Sequence, residues 1–353
     1  TTWLSVTEVT QPRLCHFGGT EERLVRNMSS PRPNVQITFA NVEELPDLSG
    51  RGQMRGPWWL WAGALALIAT VSVWPAMVGT FLPQDDLNLT ENIFLRSYSH
   101  LRAIWRFAYS DVFPQFSPLG YSAYLFEYRI WGGVAKHAAS GYRLGNLLLH
   151  VGNVMLLWTL LRKLDVRGAF VSAAIFAAHP VQVQTVAWIS QQPMLIGTMF
   201  ALLSLIVCLR FCGLNPEPYV PAALRLPMNR WMLYTLATVL FALAIVAKPA
   251  TAVLPVIILN MIWWERGRVT LRDLRPLAPW LVAMVGALVG AILIFHHSGA
   301  IQEQRRSGGG RWAIWGPAIW FYRYELIRPG TFSFAYARWN PATPWSTLML
   351  AAA

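Results

Sequence analysis

The sequence predicts an all-α integral membrane fold of about seven spans, and three observations carry that expectation. Of 353 residues, 55% are hydrophobic and only 13% are charged, about half the charged share of a soluble domain. The apolar residues gather into runs close to the roughly twenty residues that cross a bilayer core, and the mean hydropathy is +0.38. The 18 Trp fit a chain with many positions at headgroup level, where indole rings accumulate.

The first span is expected at Pro57–Thr80, preceded by Arg51 and Arg55. The stretch 81–141 that follows is mixed in polarity and rich in aromatic residues and Arg. It is too polar to cross a bilayer and too apolar to float free. Ile93–Tyr109 and Tyr121–Trp131 are therefore expected as amphipathic helices along the interface, within a long first outer loop. Further spans are expected at Tyr142–Leu161, Gly168–Ala178, Met194–Phe211, Trp231–Ala247, Pro249–Trp264 and Leu277–Phe295. Several are short, which bilayer thinning or re-entry accommodates. Trp312–Ile327, broken by Pro317 and charged at Arg323 and Glu325, is expected at the interface.

Residues 1–50 are polar, dotted with Pro and free of helical periodicity. They are expected to be disordered, or an artefact upstream of a true start at Met28 or Met54, with 51–353 as the membrane module. No apolar stretch with a small-residue cleavage site precedes the first span, so no cleaved signal peptide is expected. Leu348–Ala353 reads as the opening of another apolar helix, cut short, so the chain is expected to be a fragment.

The net charge of +12 is spread between apolar segments and forms no single patch, which argues against nucleic acid. It follows the excess of Lys and Arg in cytoplasmic loops. With the N-terminus inside, the inner loops hold Arg162, Lys163 and Arg167, then Arg210, Arg225 and Arg230, then Arg266, Arg268, Arg272 and Arg275. The outer stretch Ala178–Pro193 has neither Lys nor Arg. Three cysteines, Cys15, Cys208 and Cys212, make no disulfide framework, and the pair four residues apart reads as apolar filler.

Asp85 and Asp86 just after the first span are the leading chemical candidates. Carboxylates at a membrane boundary are costly unless solvated or paired, and adjacent like charges raise one pKa toward that of a general base. A solvated helix cap is the competing reading. His179 and Gln184 lie in an uncharged outer segment dense in hydrogen-bonding side chains, suited to sugar hydroxyls, although a lone His is more often structural. Lys248, between two spans, and Arg305 and Arg306, beside His296 and His297, offer positive charge for a phosphate leaving group. Interfacial snorkelling and a solvated loop are the alternatives there. No His, Asp or Glu cluster has zinc spacing, and no Gly-rich phosphate loop has its strand and helix; neither a metal nor a cofactor is expected.

These residues carry a resemblance. Asp85-Asp86-Leu87-Asn88-Leu89-Thr90-Glu91-Asn92 resembles the Asp-Asp motif in the first outer loop of bacterial membrane proteins related to the transmembrane and tetratricopeptide-repeat O-mannosyltransferases, and more distantly to the protein O-mannosyltransferases. Further segments agree in order: Ser117-Pro118-Leu119 with Trp131-Gly132, then Gly141 through His150, then His179-Pro180-Val181 with Val186-Ala187-Trp188-Ile189. Lys248 before Leu254-Pro255, and Trp320-Phe321-Tyr322 with Tyr336-Ala337-Arg338-Trp339, complete the set. The resemblance covers about 57–353.

It implies a GT-C-type helical bundle that moves a mannose-like sugar from a polyprenyl-phosphate donor to a hydroxyl acceptor, on protein or glycan, with inversion at the anomeric carbon. The first-loop acid, here Asp85 or Asp86, is then the base. The implied setting is a bacterial inner membrane with the site facing the periplasm. The chain departs from relatives at Gln184, where they often carry an acid, at Gln191-Gln192-Pro193, where they are basic, and at Ser117. The helical repeats expected downstream in relatives have no 34-residue counterpart here. A non-catalytic scaffold of the same fold, binding partners through missing repeats, is the alternative.

Overall fold

The computed structural model describes residues 57–82, 85, 89–92, 95, 100–106, 116–131, 138–214, 229–297, 319–321 and 323. The segment 1–50, Asp86, Arg305 and Arg306 lie outside the described residues. The described residues contain helices and turns and no strand. In chain order they form α1 (Trp58–Val73), α2 (His100–Arg106), α3 (Pro118–Ile130), α4 (Ala138–Lys163) and α5 (Ala169–Ala178). Then come α6 (Pro180–Ala187), α7 (Gln192–Cys212), α8 (Arg230–Ala247), α9 (Leu254–Arg266) and α10 (Leu271–His297).

The termini of these helices follow from local chemistry. Asn229 caps α8 by accepting from Met232 N at 2.8 Å, as a short amide at an N-cap does. Thr270 and Asp273 form a reciprocal cap at the start of α10, Thr270 N donating to Asp273 Oδ2 at 3.0 Å while Asp273 N donates to Thr270 O at 3.0 Å. α7 stops at Gly213, whose φ of 66° permits Leu214 N to reach back to Leu209 O at 2.9 Å. Inside α1, the hydroxyls of Thr70 and Ser72 donate to the carbonyls of Ala66 and Ile68, which satisfies both hydroxyls within an apolar helix.

Five stretches are long and apolar enough to cross a membrane: Trp58–Met77, Ala139–Lys163, Ile189–Cys212, Arg230–Ala247 and Leu271–Leu293. α5 and α6 pass the same test together as a pair bent by 56°. The described residues are those of an all-helical membrane protein. Its exposed faces are apolar where lipid would meet them, including Leu67, Val71, Val282 and Leu288.

Two of the seven expected spans take a different form. Gly168–Ala178 is present as the ten-residue α5, roughly 15 Å long, and goes on only through the bend at His179-Pro180. Pro249–Trp264 opens as a 3-10 turn over Pro249–Val253 before α9, which has 13 residues, because Pro249 and Pro255 supply no N–H to a continuous helix. The turn and α9 still run along the length of α7. A β-carbon on Gly197 would stand 3.2 Å from Thr251 Cγ2, and at the other end Arg266 donates to Cys212 O.

The largest core cluster joins α7, α8, α9 and α10 through Leu205, Leu209, Phe241, Ile258 and Trp280. Ala201, Ala237 and Ala244 permit close approach there, and Ser204 Oγ donates to Ala237 O at 2.9 Å. A second cluster joins α1, α4 and α5 through Leu65, Ala69, Val154, Trp158 and Ala173. A third gathers Leu89, Leu95, Ile104, Tyr121, Tyr124, Tyr142 and Ile189. α3, the segment expected along the interface, buries Tyr121, Tyr124 and Leu125 in that cluster and exposes Phe126 and Ile130.

One set of helix ends gathers basic residues. Arg162 and Lys163 end α4, Arg210 lies in the last turn of α7, Arg230 begins α8 and Arg266 ends α9. Contacts bring these termini together: Arg230 lies over the Phe211 ring at 5.1 Å, and Lys163 is near enough to Arg210 for their charges to interact. The opposite end carries Asp85 and the polar groups that surround it.

Candidate functional site

Asp85 is fully buried. Its N–H donates to Leu82 O at 2.7 Å, and Leu82 N donates back to Asp85 Oδ2 at 3.0 Å, closing a tight turn after α1. Oδ1 accepts from Ser190 N at 2.9 Å and from Ser190 Oγ at 2.6 Å. A residue 105 positions away thus fixes the first loop against the turn between α6 and α7. Charge-assisted bonds of this kind are about twice as strong as neutral ones.

Arg143, early in α4, makes the second clasp. It donates to Ala187 O from Nε at 3.1 Å, to Gly79 O from Nη1 at 2.8 Å and to Thr80 O from Nη2 at 2.6 Å. Gly79 has φ of 144°, a conformation open to glycine and strained for other residues. Asn146, one turn on, donates to Val186 O at 3.1 Å and Trp188 O at 3.3 Å. His150 Nε2 meets Ala177 O at 3.3 Å, and Asn153 Nδ2 donates to Leu195 O at 3.0 Å. The four sit at helical spacing, so one polar stripe of α4 holds α5, α6 and α7 in place.

The carboxylate with capacity to spare is Glu127, on α3. Gln192 Nε2 donates to its Oε1 at 2.7 Å, while Oε2 is buried without a partner. Burial pushes the Glu127 carboxyl up to about 7, against the lowering effect of the Gln192 bond. The side chain lies directly on Gly145 of α4, where any β-carbon would collide with Oε1. Tyr124, whose hydroxyl donates to Ile189 O at 2.9 Å, is close enough to both acids for their charges to act on it. Burial raises its phenol well above the ordinary value, and Tyr121, Asp85 and Glu127 add to that in turn. The Oε1 of Gln192 is also buried and unpartnered. The site therefore presents unused acceptors, which call for hydroxyl or other N–H and O–H donors.

No family model, curated protein or solved structure matches this chain.

Lys248 caps α8, its N–H donating to Ala244 O at 2.8 Å. A β-carbon on Gly197 would stand 3.1 Å from its Cβ, and burial lowers its ammonium pKa. Ser117 Oγ donates to the adjacent Ala247 O at 2.6 Å, which joins α3 to the turn that carries Lys248. His179 caps α6, its Nδ1 accepting from Val181 N at 3.2 Å, the structural role a lone His usually has. Gln184 is exposed on α6. Among the described residues no group of three or more His, Cys, Asp or Glu is placed to hold a metal ion.

The structure thus brings Asp85 together with Ser190, and sets Glu127 against Gln192 and Gly145. Glu127 was not among the sequence candidates. The signal that pointed to it was faint: a lone acid in the otherwise aromatic segment Tyr121–Trp131.

Proposed function

We propose that this chain is a GT-C-type membrane glycosyltransferase that moves a mannose-like sugar from a polyprenyl-phosphate donor to a hydroxyl acceptor. The site faces the periplasm of a bacterial inner membrane, with the basic helix ends in the cytoplasm. The observation that carries the reading is Glu127, with one buried oxygen unpartnered and its carboxyl raised to about 7, near an ordered aspartate of the first loop. A base works best when its pKa lies near the working pH.

In the reaction a carboxylate takes the acceptor's hydroxyl proton as the acceptor oxygen bonds to C1 of the sugar. The bond from C1 to the phosphate oxygen breaks with its electron pair, polyprenyl phosphate departs, and C1 is inverted. Asp85 holds the loop, and the base is Glu127 or the first-loop acid Asp86. Lys248, with Arg305 and Arg306, supplies positive charge where the phosphate leaves. An arriving phosphate stabilises the protonated form of Lys248 against burial. His179 and Gln184 sit in the segment that meets the acceptor or sugar hydroxyls.

One observation favours a scaffold instead: both oxygens of Asp85 are taken by the protein's own donors. The test is transfer from a labelled polyprenyl-phosphate sugar by the purified chain and by Asp85→Asn, Asp86→Asn and Glu127→Gln. The transferase reading expects a loss of about 10²- to 10⁴-fold in the variant that lacks the base. Transfer that is absent in the parent chain, or equal in all four proteins, leaves the scaffold.

A further inference from the structure

The basic end of the bundle holds a second feature, remote from the carboxylates. A cavity of about 250 Å³ lies between α1 and α4, lined by Trp58, Ala62, Met155, Trp158, Arg162 and Lys163, with Thr159 beside them. Its walls are apolar and aromatic, and its charged groups are two adjacent cations at the last turn of α4. Arg162 lies over the Trp158 ring at 5.0 Å, a cation–π contact that fixes the guanidinium at the cavity wall. Lys163 is buried, and the charge acting on it is another cation, Arg210. Asp165, the next acid along the chain, is exposed and makes no ion pair among the described residues. A buried ammonium that faces like charge calls for an anion.

The surroundings say which anion. Trp58, Trp59 and Leu60 at the start of α1 are all more than half exposed, a tryptophan pair at the level where a membrane span meets headgroups. A ligand held here has a negative head beside Arg162 and Lys163 and a hydrocarbon body against Trp58, Ala62 and Met155. Basic pockets between membrane helices recognise anionic lipid headgroups by this chemistry.

We infer that the cavity between α1 and α4 is a binding site for an anionic phospholipid, its phosphate held by Arg162 and Lys163 and its upper chain packed on Trp58, Ala62 and Trp158. Thr159 spends its hydroxyl proton on Met155 O at 2.8 Å, so recognition falls to the two cations. Each contributes about fivefold to the preference for an anionic over a zwitterionic headgroup. The inference rests on the membrane placement of α1 and α4 and is independent of the proposed catalysis.

The test is native mass spectrometry of the full chain released from micelles of phosphatidylcholine with phosphatidylglycerol, and separately with inorganic phosphate. The intact protein is expected to retain phosphatidylglycerol over phosphatidylcholine by at least about tenfold. Arg162→Gln and Lys163→Gln should each cut that preference severalfold. Ala62→Phe, which fills the cavity and leaves both charges in place, should remove it. Arg162→Gln and Ala62→Phe keep the test decisive where Lys163→Gln fails to fold. Equal retention of the two lipids, or a preference untouched by Arg162→Gln and Ala62→Phe, overturns the site. Displacement of the lipid by millimolar inorganic phosphate overturns its assignment to a lipid.

Discussion

Asp85 and Glu127 differ in what the protein asks of them. Asp85 is saturated by three donors, so its removal is a structural event. Asp85→Asn turns one acceptor into a donor facing the donors of Ser190 and Leu82, and is expected to cost about 1–3 kcal/mol. Ser190→Ala removes only the hydroxyl and should cost about 1 kcal/mol; thermal unfolding in detergent ranks the two. Glu127 is expected to behave oppositely. Its carboxyl is raised from 4.5 to about 7, so the folded state holds a proton that the unfolded state releases between those values. The stability tied to that proton is complete below about 4.5, declines as pH rises toward 7 and is gone above it. Glu127→Gln, which keeps the shape and removes the charge, should therefore unfold at a higher temperature than the parent at pH 8 and at a similar one at pH 4. In the transfer reaction the parent should gain rate as pH rises through about 7, and Glu127→Gln should lack that limb. A variant no more stable at pH 8 than the parent would show that Glu127 is solvated. Of these residues the sequence made Asp85 legible, since an Asp pair directly after an apolar run is costly. It hid the partner, because Ser190 lies 105 positions away in a segment without charge. Glu127 was hidden further, since its raised pKa comes from burial between α3, Gly145 and Gln192, all of it tertiary.

At the scale of the element, α4 organises the Asp85 end. Arg143, Asn146, His150 and Asn153 follow helical spacing in an otherwise apolar span, a pattern visible in the sequence as polar residues on one face. What the pattern did not reveal is the set of acceptors, which are backbone carbonyls of four other segments. Arg143→Lys tests the clasp: one ammonium cannot span carbonyls that a planar fork reaches from three nitrogens. Amide exchange in residues 79–82 should quicken by an order of magnitude or more, at about 1–3 kcal/mol lost, with α4 itself unchanged. Unaltered exchange there would mean the loop is held by Asp85 alone. Gly145→Ala tests how α3 docks, since the new methyl meets Glu127 Oε1. Glu127 must then swing away from Gln192, and its carboxyl should titrate closer to 4.5 once it reaches water. Helix existence was read well from hydropathy for α1, α4, α7, α8 and α10. It was read less well around proline. Pro180 sits at a bend that joins two helices where a loop was expected, and Pro249 starts a 3-10 turn in an expected span. In both places local backbone chemistry competes with apolar composition, and hydropathy records only the second.

For the molecule as a whole, the separation of its two ends is the claim on which the others depend. Positive charge alternates with apolar segments along the chain, and folding collects Lys163, Arg210, Arg230 and Arg266 at helix termini that touch one another. The other end collects Asp85, Glu127, Arg143 and Ser190, with Arg143 donating to carbonyls of both loops. In the proposed reading, positive charge on the cytoplasmic side puts the carboxylates outside, with the donor and acceptor of the proposed transfer. The direct measurement uses a chain with Cys15, Cys208 and Cys212 replaced by Ser or Ala and one new cysteine, at exposed Gln184 or at exposed Arg268. Each is treated in intact cells with a thiol reagent that cannot cross the membrane that holds the chain. The account predicts that position 184 is labelled at once and that position 268 is labelled only after the membrane is opened. Labelling of both from the same side, or of position 268 alone in intact cells, would contradict it.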